Sequence, residues 1–597
     1  MIARSGTAGP RRASSAAVVG GPGAWPWVVS VLAAVVVVGP GLGRGQVLVR
    51  DMVFVPSPAL TGRLLGLGHE APRAVPSDLV VALASHVVPA GVVQALVLLG
   101  ILVGAGVGAA RLAPRGAAAG SAAALVAVWN PYVGERLLMG QWALLVGYAA
   151  CAWVVLGAAR VARGEGRALP LAVGLVVGSL GGAAAWVLVV LTAVGAVLGV
   201  AVGTRDVRGA LGRGVRWLPL ALALALPWAV PALLRPGGLA SDRAGFDVFA
   251  PGADSPLGTV GSVLTGGGTW NVAAIPPGRS SAVGAVAAVL VVGWAAAGFW
   301  LTRRGPVHDA EPAAAALRPA VLGAGVAGLG VALLATAGGR LASLAGLPGG
   351  GLLRDGAREL APWLVLLGVG AGWGVRWLSA RGLPRAAPAL AALLPVVALP
   401  GLGWGVSGTL AAVEYPDDVL AVAAAADDAP GAGAVAVLPF QNTRSYPWNE
   451  DRPSLSPWTR LLHRRVVISS DLVVATPAGL RTVEGEDRYA DMVGQALTAP
   501  DAAGRLVELG VGWVVVDATA SVPEGAVEVR SGGDAALYRL PGVPGADGEV
   551  AAAYDPPAIP VVVGDVVALA AAALAVRTAV RPRRPVTEVS RGAHTIG

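Results

Sequence analysis

Residues 24–56 read AWPWVVSVLAAVVVVGPGLGRGQVLVRDMVFVP, an apolar run followed after a short gap by a charged pair. The part from 25 to 43 carries no charge and, as a helix, is long enough for the roughly 30 Å hydrocarbon core of a bilayer, which takes about 20 residues. Arginines precede it, and no small-residue cleavage site follows it. We therefore predict an uncleaved first membrane span.

Apolar runs of similar length recur along the chain. Hydrophobic residues make up 55% of the 597 residues and charged residues only 13%, against roughly 25% charged in soluble domains. Within 169–203, Gly181 and Gly182 predict either a tight hairpin or one kinked helix. We predict an α-helical polytopic membrane protein with about twelve transmembrane helices, near residues 25–43, 85–110, 117–131, 141–159, 169–184, 185–203, 217–234, 281–302, 315–337, 361–378, 386–412 and 557–576.

Arginine supplies all of the basic charge, because the chain has no lysine and a formal net charge of +8. The arginines gather on alternate connections between the apolar runs, a pattern typical of cytoplasmic loops. It predicts a multi-pass plasma-membrane protein with a disordered cytoplasmic tail at 1–23 and a second cytoplasmic tail at 577–597. Because the arginines form no single patch, we expect no nucleic-acid partner.

The opposite side of the membrane receives the longer and more polar segments. Within a transmembrane domain at 24–412 these are the loops 43–77, 130–140, 235–280 and 338–360. The block 413–556 follows, and we predict that it forms a small extracytoplasmic α/β domain before the last span at 557–576. Its patterns predict strands at 434–438, 465–469 and 512–516, a helix at 502–509 capped by Asp501, and a hairpin at 527–540.

The charged pair Arg50–Asp51 lies a few residues beyond the first span. A carboxylate at this depth can act as a general base or bind a divalent cation, because reduced water content strengthens its interactions. The alternative is a solvated interfacial ion pair. Asp51 is therefore our first candidate catalytic residue, with Arg50 as a candidate substrate-binding residue.

The loop at 129–142 holds a second charged pair, Glu135–Arg136, between aromatic residues typical of a membrane-interface belt. The shortness of this loop keeps the pair close to the span ends. We predict Glu135 as the second catalytic residue and Arg136 as a substrate-binding residue.

Arg354 and Asp355 precede the span that begins near Ala361. Arginine presents planar donors that suit phosphate or pyrophosphate, and the start of a helix favours an anion. A charged cluster at the membrane surface is the alternative. We predict that both residues bind substrate.

A further group of candidates lies in the aromatic-rich stretch 439–458 of the α/β block: Trp448, Asn449 and Asp451. Aromatic faces beside amides and carboxylates suit a sugar, because the rings cover C–H patches and the polar groups meet hydroxyls. We predict that these residues bind substrate, and a Pro-rich loop packed on its own domain is the alternative. In the last span, Asp565 is an acid in a costly place that usually faces a cavity or a partner.

No phosphate-binding, serine-hydrolase or zinc-protease motif stands in a suitable context. Cys151 is the single cysteine, which excludes a disulfide framework and a cysteine-based metal site. The cofactor prediction is accordingly none or one divalent cation, Mg²⁺ or Mn²⁺, whose ligands the sequence does not identify.

This layout resembles the GT-C superfamily of integral membrane glycosyltransferases, particularly actinobacterial members that use polyprenyl-phosphate sugars. The resemblance is carried by the whole architecture and by a few short stretches: Arg50–Asp51, Asn130–Pro131–Tyr132 with Glu135–Arg136, Gly140–Gln141–Trp142, and Arg354–Asp355–Gly356. It implies that Asp51 is the catalytic base or metal contact and that Arg136 and Arg354 hold the lipid phosphate. The first loop departs from the family pattern, because it has neither a DxD motif nor an adjacent pair of acids.

The resemblance implies transfer of a hexosyl or pentosyl unit from a polyprenyl-phosphate donor to a cell-envelope glycan or protein on the outer face of the membrane. Membrane lipid would be a further partner. Two alternatives stay open: a transporter or flippase of a lipid-linked or anionic solute, and a non-catalytic envelope assembly protein, which a degenerate family member could be.

Overall fold

The computed structural model describes residues 23–166, 168–235, 242–347, 350–384, 386–476, 479–517, 519–542 and 552–580. The predicted tails at 1–23 and 577–597 lie almost wholly outside these residues. Most of the described chain is helical. The helices are α1 Ala24–Val38, α2 Ser77–Ser85, α3 Ala90–Leu112, α4 Ala117–Val128, α5 Pro131–Leu138, α6 Trp142–Ala162, α7 Leu169–Ser179, α8 Gly182–Thr204, α9 Val207–Val215, α10 Leu218–Ala223, α11 Leu226–Leu234, α12 Gly245–Val248, α13 Gly258–Leu264, α14 Ala282–Leu301, α15 Pro306–Asp309, α16 Pro312–Ala335, α17 Ala361–Ala380, α18 Ala386–Ala398, α19 Gly403–Ser407, α20 Asp417–Asp428, α21 Trp458–Leu461, α22 Arg488–Leu497, α23 Ala502–Glu508 and α24 Ala558–Val580.

The predicted polytopic helical fold is confirmed, with a smaller number of full-length spans. Among the described residues, eight helices are long and apolar enough to cross a membrane, and ten if each of two bent helix pairs counts as one span. The remaining two predicted spans are shorter: α4 has 12 residues and α7 has 11. α4 is buried along nearly its whole length, so its apolar sequence reflects packing inside the bundle. α7 ends at Ser179 and α8 begins at Gly182, so the chain breaks where the two glycines predicted it.

Small residues allow the spans to pack closely. Gly195 and Gly199 lie one turn apart on α8 and face Gly323 on α16, where an added Cβ would meet the Gly195 carbonyl oxygen at 2.2 Å. Helices in a membrane gain little from the hydrophobic effect, so close backbone contact of this kind is a main source of their association.

The block after the bundle forms a five-stranded sheet in the order β10 (Val527–Ser531), β11 (Ala536–Arg539), β9 (Val511–Val516), β3 (Ala434–Leu438) and β6 (Val466–Val467). β3 runs parallel to both β6 and β9, and the hairpin β10–β11 adds antiparallel strands at one edge. The predicted strands, hairpin and Asp501-capped helix are all confirmed, since Asp501 accepts a hydrogen bond from the Gly504 amide. The strands are β1 Gln46–Val47, β2 Ala412–Val413, β3 Ala434–Leu438, β4 Thr443–Arg444, β5 Ser454–Leu455, β6 Val466–Val467, β7 Leu472–Thr476, β8 Gly479–Val483, β9 Val511–Val516, β10 Val527–Ser531 and β11 Ala536–Arg539.

Backbone hydrogen bonds join the loop after α1 to the α/β region. β1 pairs with β2 in antiparallel register. The Arg50 amide donates to the Pro453 carbonyl at 2.6 Å, and the Leu455 amide donates to the Arg50 carbonyl at 2.9 Å. The candidate base Asp51 therefore lies where the helical bundle meets the α/β domain.

Candidate active site

Asp51 lies at the tip of a tight turn. The amides of Val49 and Met52 donate to each other's carbonyls at 3.1 and 2.9 Å, with Arg50 and Asp51 between them. Arg50 adopts a positive φ of 45°, which is uncommon for a residue with a side chain. Its guanidinium donates to the carbonyls of Leu138 and Ala273. Arg50 therefore holds the turn by contacts within the protein, and its predicted role in substrate binding stays a prediction.

The end of α5 supports this turn from below. The Asp51 amide donates to the Met139 carbonyl at 3.2 Å. Gly140, with φ of 72°, leaves no room for a side chain, because a Cβ there would lie 2.2 Å from the Met52 nitrogen. The backbone that presents Asp51 is thus fixed by the residues that follow Glu135 and Arg136.

The Asp51 side chain is exposed, yet many protein atoms lie around it. This partial loss of water raises its pKa, while the positive charges of Arg358, Arg73 and Arg460 and a hydrogen bond from Gln141 act in the opposite direction. The arrangement places an accessible carboxylate among positively charged arginines, which suits a base acting beside an anionic leaving group.

Arg136 lies behind this surface. It has no exposed area, donates to the Gln141 side-chain oxygen at 2.9 Å, and lies 3.6 Å from Asp355. Asp355 also pairs with Arg358 at 2.9 Å. The chain Gln141–Arg136–Asp355–Arg358 therefore backs Asp51, and the burial of Arg136 and Asp355 favours a positioning role over the predicted contact with substrate. Arg358, 26% exposed, presents the accessible guanidinium.

Arg354 points to a different partner. Its guanidinium lies 3.5 Å from Glu486 and 5.0 Å from the centre of the Phe249 ring. Burial and the charge of Arg73 lower its pKa to about 10. Glu486 also meets Arg235 at 3.2 Å and Arg73 at 3.7 Å, so three arginines share one carboxylate close to the Asp51 site.

Glu135 lies inside the protein with 1% of its surface exposed. Burial, and then the neighbouring Asp254 carboxylate, raise its pKa well above the usual range. Asp254 in turn is held by Arg279 at 3.1 Å and by the Gly268 amide at 2.7 Å. Its buried position favours a structural role, and the predicted catalytic role of Glu135 stays a prediction.

The predicted sugar-binding residues occupy mixed positions. Asn449 is fully buried, and its amide donates to the carbonyls of Leu48 and Arg452 at 3.0 Å. Trp448 stacks on Tyr446 with ring centres 4.9 Å apart, while Asp451 is exposed. Asn449 and Trp448 thus support the chain beside Asp51, as the alternative of a loop packed on its own domain predicts, and only Asp451 offers a polar group to solvent.

The prediction of no cofactor or one divalent cation stays a prediction, and the described residues near Asp51 offer few metal ligands. In the described parts of the chain, no group of three or more His, Cys, Asp or Glu residues is arranged to hold a metal. The charged groups that act on Asp51 are arginines, and its hydrogen-bond partner is an amide. Mg²⁺ and Mn²⁺ prefer several oxygen ligands, and the described groups around Asp51 are mostly positively charged.

Sequence reasoning found Asp51 and did not select Arg73, Arg358, Arg460, Gln141, Asp254 or Arg279. Five of these, all except Arg460, were visible as polar residues in the predicted outer loops or in the motif around Gln141. These residues can be selected only when the structure shows that they lie near Asp51 or Glu135, because their spacing in the sequence does not reveal it.

The fold defines a polytopic helical membrane protein with an additional α/β region. Among solved structures, the chain is similar to the arabinofuranosyltransferase AftD from Mycobacteria, determined by single-particle cryo-EM, with a TM-score of 0.51 and 18% sequence identity. The alignment covers 88% of this chain and 40% of AftD. A mutant form of AftD matches with a TM-score of 0.51 and 16% identity over 88% of this chain and 42% of that one. No protein-family model and no curated protein sequence matches.

Proposed function

We propose that the protein is a membrane glycosyltransferase that moves a sugar from a polyprenyl-phosphate donor to a cell-envelope glycan or protein. The observation that carries the proposal is the exposed Asp51, presented on a braced turn and surrounded by Arg358, Arg73 and Arg460. The GT-C-like fold supports it. The chain spans about two fifths of the length of AftD. The arabinofuranosyltransferase activity in AftD's name therefore supports the reaction class and not a particular sugar or acceptor.

In this mechanism Asp51 accepts the proton of an acceptor hydroxyl. The hydroxyl oxygen attacks the anomeric carbon as the bond from that carbon to the phosphate oxygen breaks. The bonding electron pair leaves with the lipid phosphate, whose developing charge Arg358 and Arg73 stabilise. A raised pKa makes Asp51 a stronger base at neutral pH. One displacement of this kind inverts the anomeric configuration.

We also propose the predicted topology, with both termini cytoplasmic and residues 413–556 on the outer face. The arginine distribution supports it, and it places the Asp51 turn at the outer surface, where lipid-linked sugars meet envelope acceptors. Cysteine labelling tests it, because a cysteine introduced at exposed Asp417 should react with an impermeant maleimide in intact cells. Labelling only after permeabilisation would reverse the orientation.

The enzymatic test is transfer from radiolabelled polyprenyl-phosphate pentose and hexose donors by purified protein in proteoliposomes. Asp51→Asn should abolish transfer, while Asp417→Asn, which makes the same change at an exposed acid of α20, should not. Equal transfer by Asp51→Asn and wild type would exclude Asp51 as the base.

The transporter alternative draws on the two bent helix pairs and on the break between α7 and α8, since discontinuous helices line many transport sites. Solute flux in the same proteoliposomes without a covalent product would favour it. The assembly-protein alternative predicts that an Asp51→Ala, Arg354→Ala double variant complements a deletion normally.

A further inference from the structure

Three ionisable side chains, those of Glu135, Asp254 and Arg279, meet inside the protein beside α5. Glu135 and Asp254 are each 1% exposed, and so is Arg279. Both carboxyl groups lie against Gly267, where an added Cβ would be 2.6 Å from a Glu135 oxygen and 2.1 Å from an Asp254 oxygen. The glycine at 267 therefore allows the two acids to approach each other.

The surroundings of the two acids differ. Asp254 receives the Arg279 Nε–H at 3.2 Å on one oxygen and the Gly268 amide at 2.7 Å on the other. Burial alone would raise the pKa of Asp254, but the hydrogen bond from Glu135 and the charge of Arg279 outweigh it and lower that pKa. Glu135 Oε1 is buried and has no hydrogen-bond partner among the described residues, and an Asp254 oxygen lies beside it at the same Gly267 position. Arg136 and Arg279 both favour the charged form of Glu135, but Arg279 pairs with Asp254 and Arg136 with Asp355. Two buried carboxylates side by side cannot both be ionised at low cost, so the proton belongs to Glu135.

The buried pair is connected to Asp51 through one turn of helix. Glu135 lies on α5, and its backbone carbonyl accepts the Met139 amide at 2.8 Å. Leu138 and Met139 then provide the carbonyls that hold Arg50 and the Asp51 amide. A shift of α5 would therefore move the turn that presents Asp51.

We propose that Glu135 is a positioning residue: as a neutral carboxylic acid it donates a hydrogen bond to Asp254, fixes α5 against the 254–268 segment, and thereby holds Asp51 in place. This proposal rests on the proposed role of Asp51 as the base. It assigns Asp254 and Arg279 to the support of the site and gives Glu135 no contact with substrate.

Two variants of Glu135 separate a positioning role from a catalytic one in the transfer assay, with Asp51→Asn as the inactive reference. Glu135→Gln retains a donor for Asp254 and should keep kcat within about threefold of wild type, with the acidic limb of the pH profile unmoved. Glu135→Ala removes the donor and should lower kcat by about tenfold or more, because small displacements of a catalytic group are costly. The expected signature of a positioning role is that Glu135→Gln keeps the kcat that Glu135→Ala loses. A Glu135→Gln protein that folds normally and is as inactive as Asp51→Asn would overturn the proposal.

Infrared spectroscopy tests the protonation state without turnover. The difference spectrum between wild type and Glu135→Gln at neutral pH should contain the C=O stretch of one protonated carboxylic acid. A difference spectrum that contains only a carboxylate band would overturn the proposal. Wild-type protein that shows the acid band but transfers no sugar would contradict the proposed function and leave the hydrogen-bonded acid pair established.

Discussion

As the proposed base, Asp51 must be ionised to accept a proton, so its pKa should set the acidic limit of activity. Although the carboxylate is exposed, the protein atoms around it reduce its hydration and raise that pKa above the ordinary value, which is about 3.9 for aspartate. Activity is present above the raised pKa and is lost as pH falls through it. We therefore expect kcat/KM to decline at a clearly higher pH than about 4, measured as a pH profile of transfer. A decline near 4 would show that the arginines dominate over burial.

Arg358 should carry much of the stabilisation of the leaving phosphate. It is the first of the charges acting on Asp51 and is partly exposed. Arg358→Ala should lower kcat by about 10²-fold, the order found when one donor to a developing negative charge is removed. Arg358→Lys keeps the charge but loses the planar donor pair, so its kcat should lie between those of wild type and Arg358→Ala. Arg303→Ala, at an exposed arginine that lies over Trp300, is the control and should not reduce kcat.

At this scale the sequence identified candidate residues better than their contacts. Asp51 could be selected because a charged pair lies a few residues beyond the first apolar run, and its catalytic role stays a prediction. The different positions of Arg136 and Arg358 could not be predicted, because each simply stands next to a glutamate in the sequence. They differ in burial: Arg136 is fully buried and Arg358 is 26% exposed.

The element that matters most to the site is α5 with the turn it supports. Gly140 has φ of 72°, and its Cβ position lies 2.2 Å from the Met52 nitrogen. Gly140→Ala should therefore displace the Asp51 turn and reduce kcat by about 10²-fold, the cost of misplacing a catalytic group by about 1 Å. Gly382→Ala is a matched control, because Gly382 has φ of 69° but nothing within 4 Å of its Cβ position.

Both substitutions cost a similar backbone strain of about 1 kcal/mol, so their difference reports the steric contact alone. Equal kinetics for the two variants would show that the turn tolerates movement.

Helix positions were predictable from apolar runs, and helix lengths were not. α4 reads as a span because all its faces are apolar, but it has 12 residues and is enclosed by the bundle. Hydropathy records removal from water and does not distinguish lipid from protein as the new surroundings. In the α/β domain, strand alternation and the Asp501 cap are local signals, which is why β3, β9 and α23 were predicted within about two residues.

At the scale of the whole molecule, two consecutive acids attach the α/β domain to the helical bundle. Glu486 meets arginines from three separate segments. Asp487 caps α22 and pairs with His69 at 2.6 Å. His69 and Asp487 are 418 residues apart in sequence, and no periodicity or spacing connects them, so this attachment could not be predicted from the sequence.

The His69–Asp487 pair should make stability depend on pH. Burial alone would lower the pKa of His69, but its hydrogen bond to Asp487 and the Asp487 charge outweigh burial and raise that pKa. Glu70 adds to the rise, and Arg465 opposes it. For Asp487, burial is outweighed by His69 and by two backbone amides, so that pKa is lowered. The ion pair therefore contributes fully between about pH 4 and pH 6.5, the unfolded values of the two groups. Its contribution declines as pH rises through the raised pKa of His69, and as pH falls through the lowered pKa of Asp487.

We expect His69→Gln to lower the melting temperature most at pH 5.5 to 6 and least above the folded pKa of His69, where the wild-type imidazole is neutral. The loss at the lower pH should be on the order of 3 kcal/mol, because removing one partner leaves a buried charge unpaired. His463→Gln is the matched control: it breaks a His–Asp pair of 2.9 Å in which the histidine is 67% exposed, and such pairs contribute little. Thermal unfolding of the detergent-solubilised protein, followed by tryptophan fluorescence at several pH values, measures both. A loss for His69→Gln that is independent of pH would mean that packing against Tyr489, whose ring centre lies 5.1 Å away, holds the domain in place without help from charge.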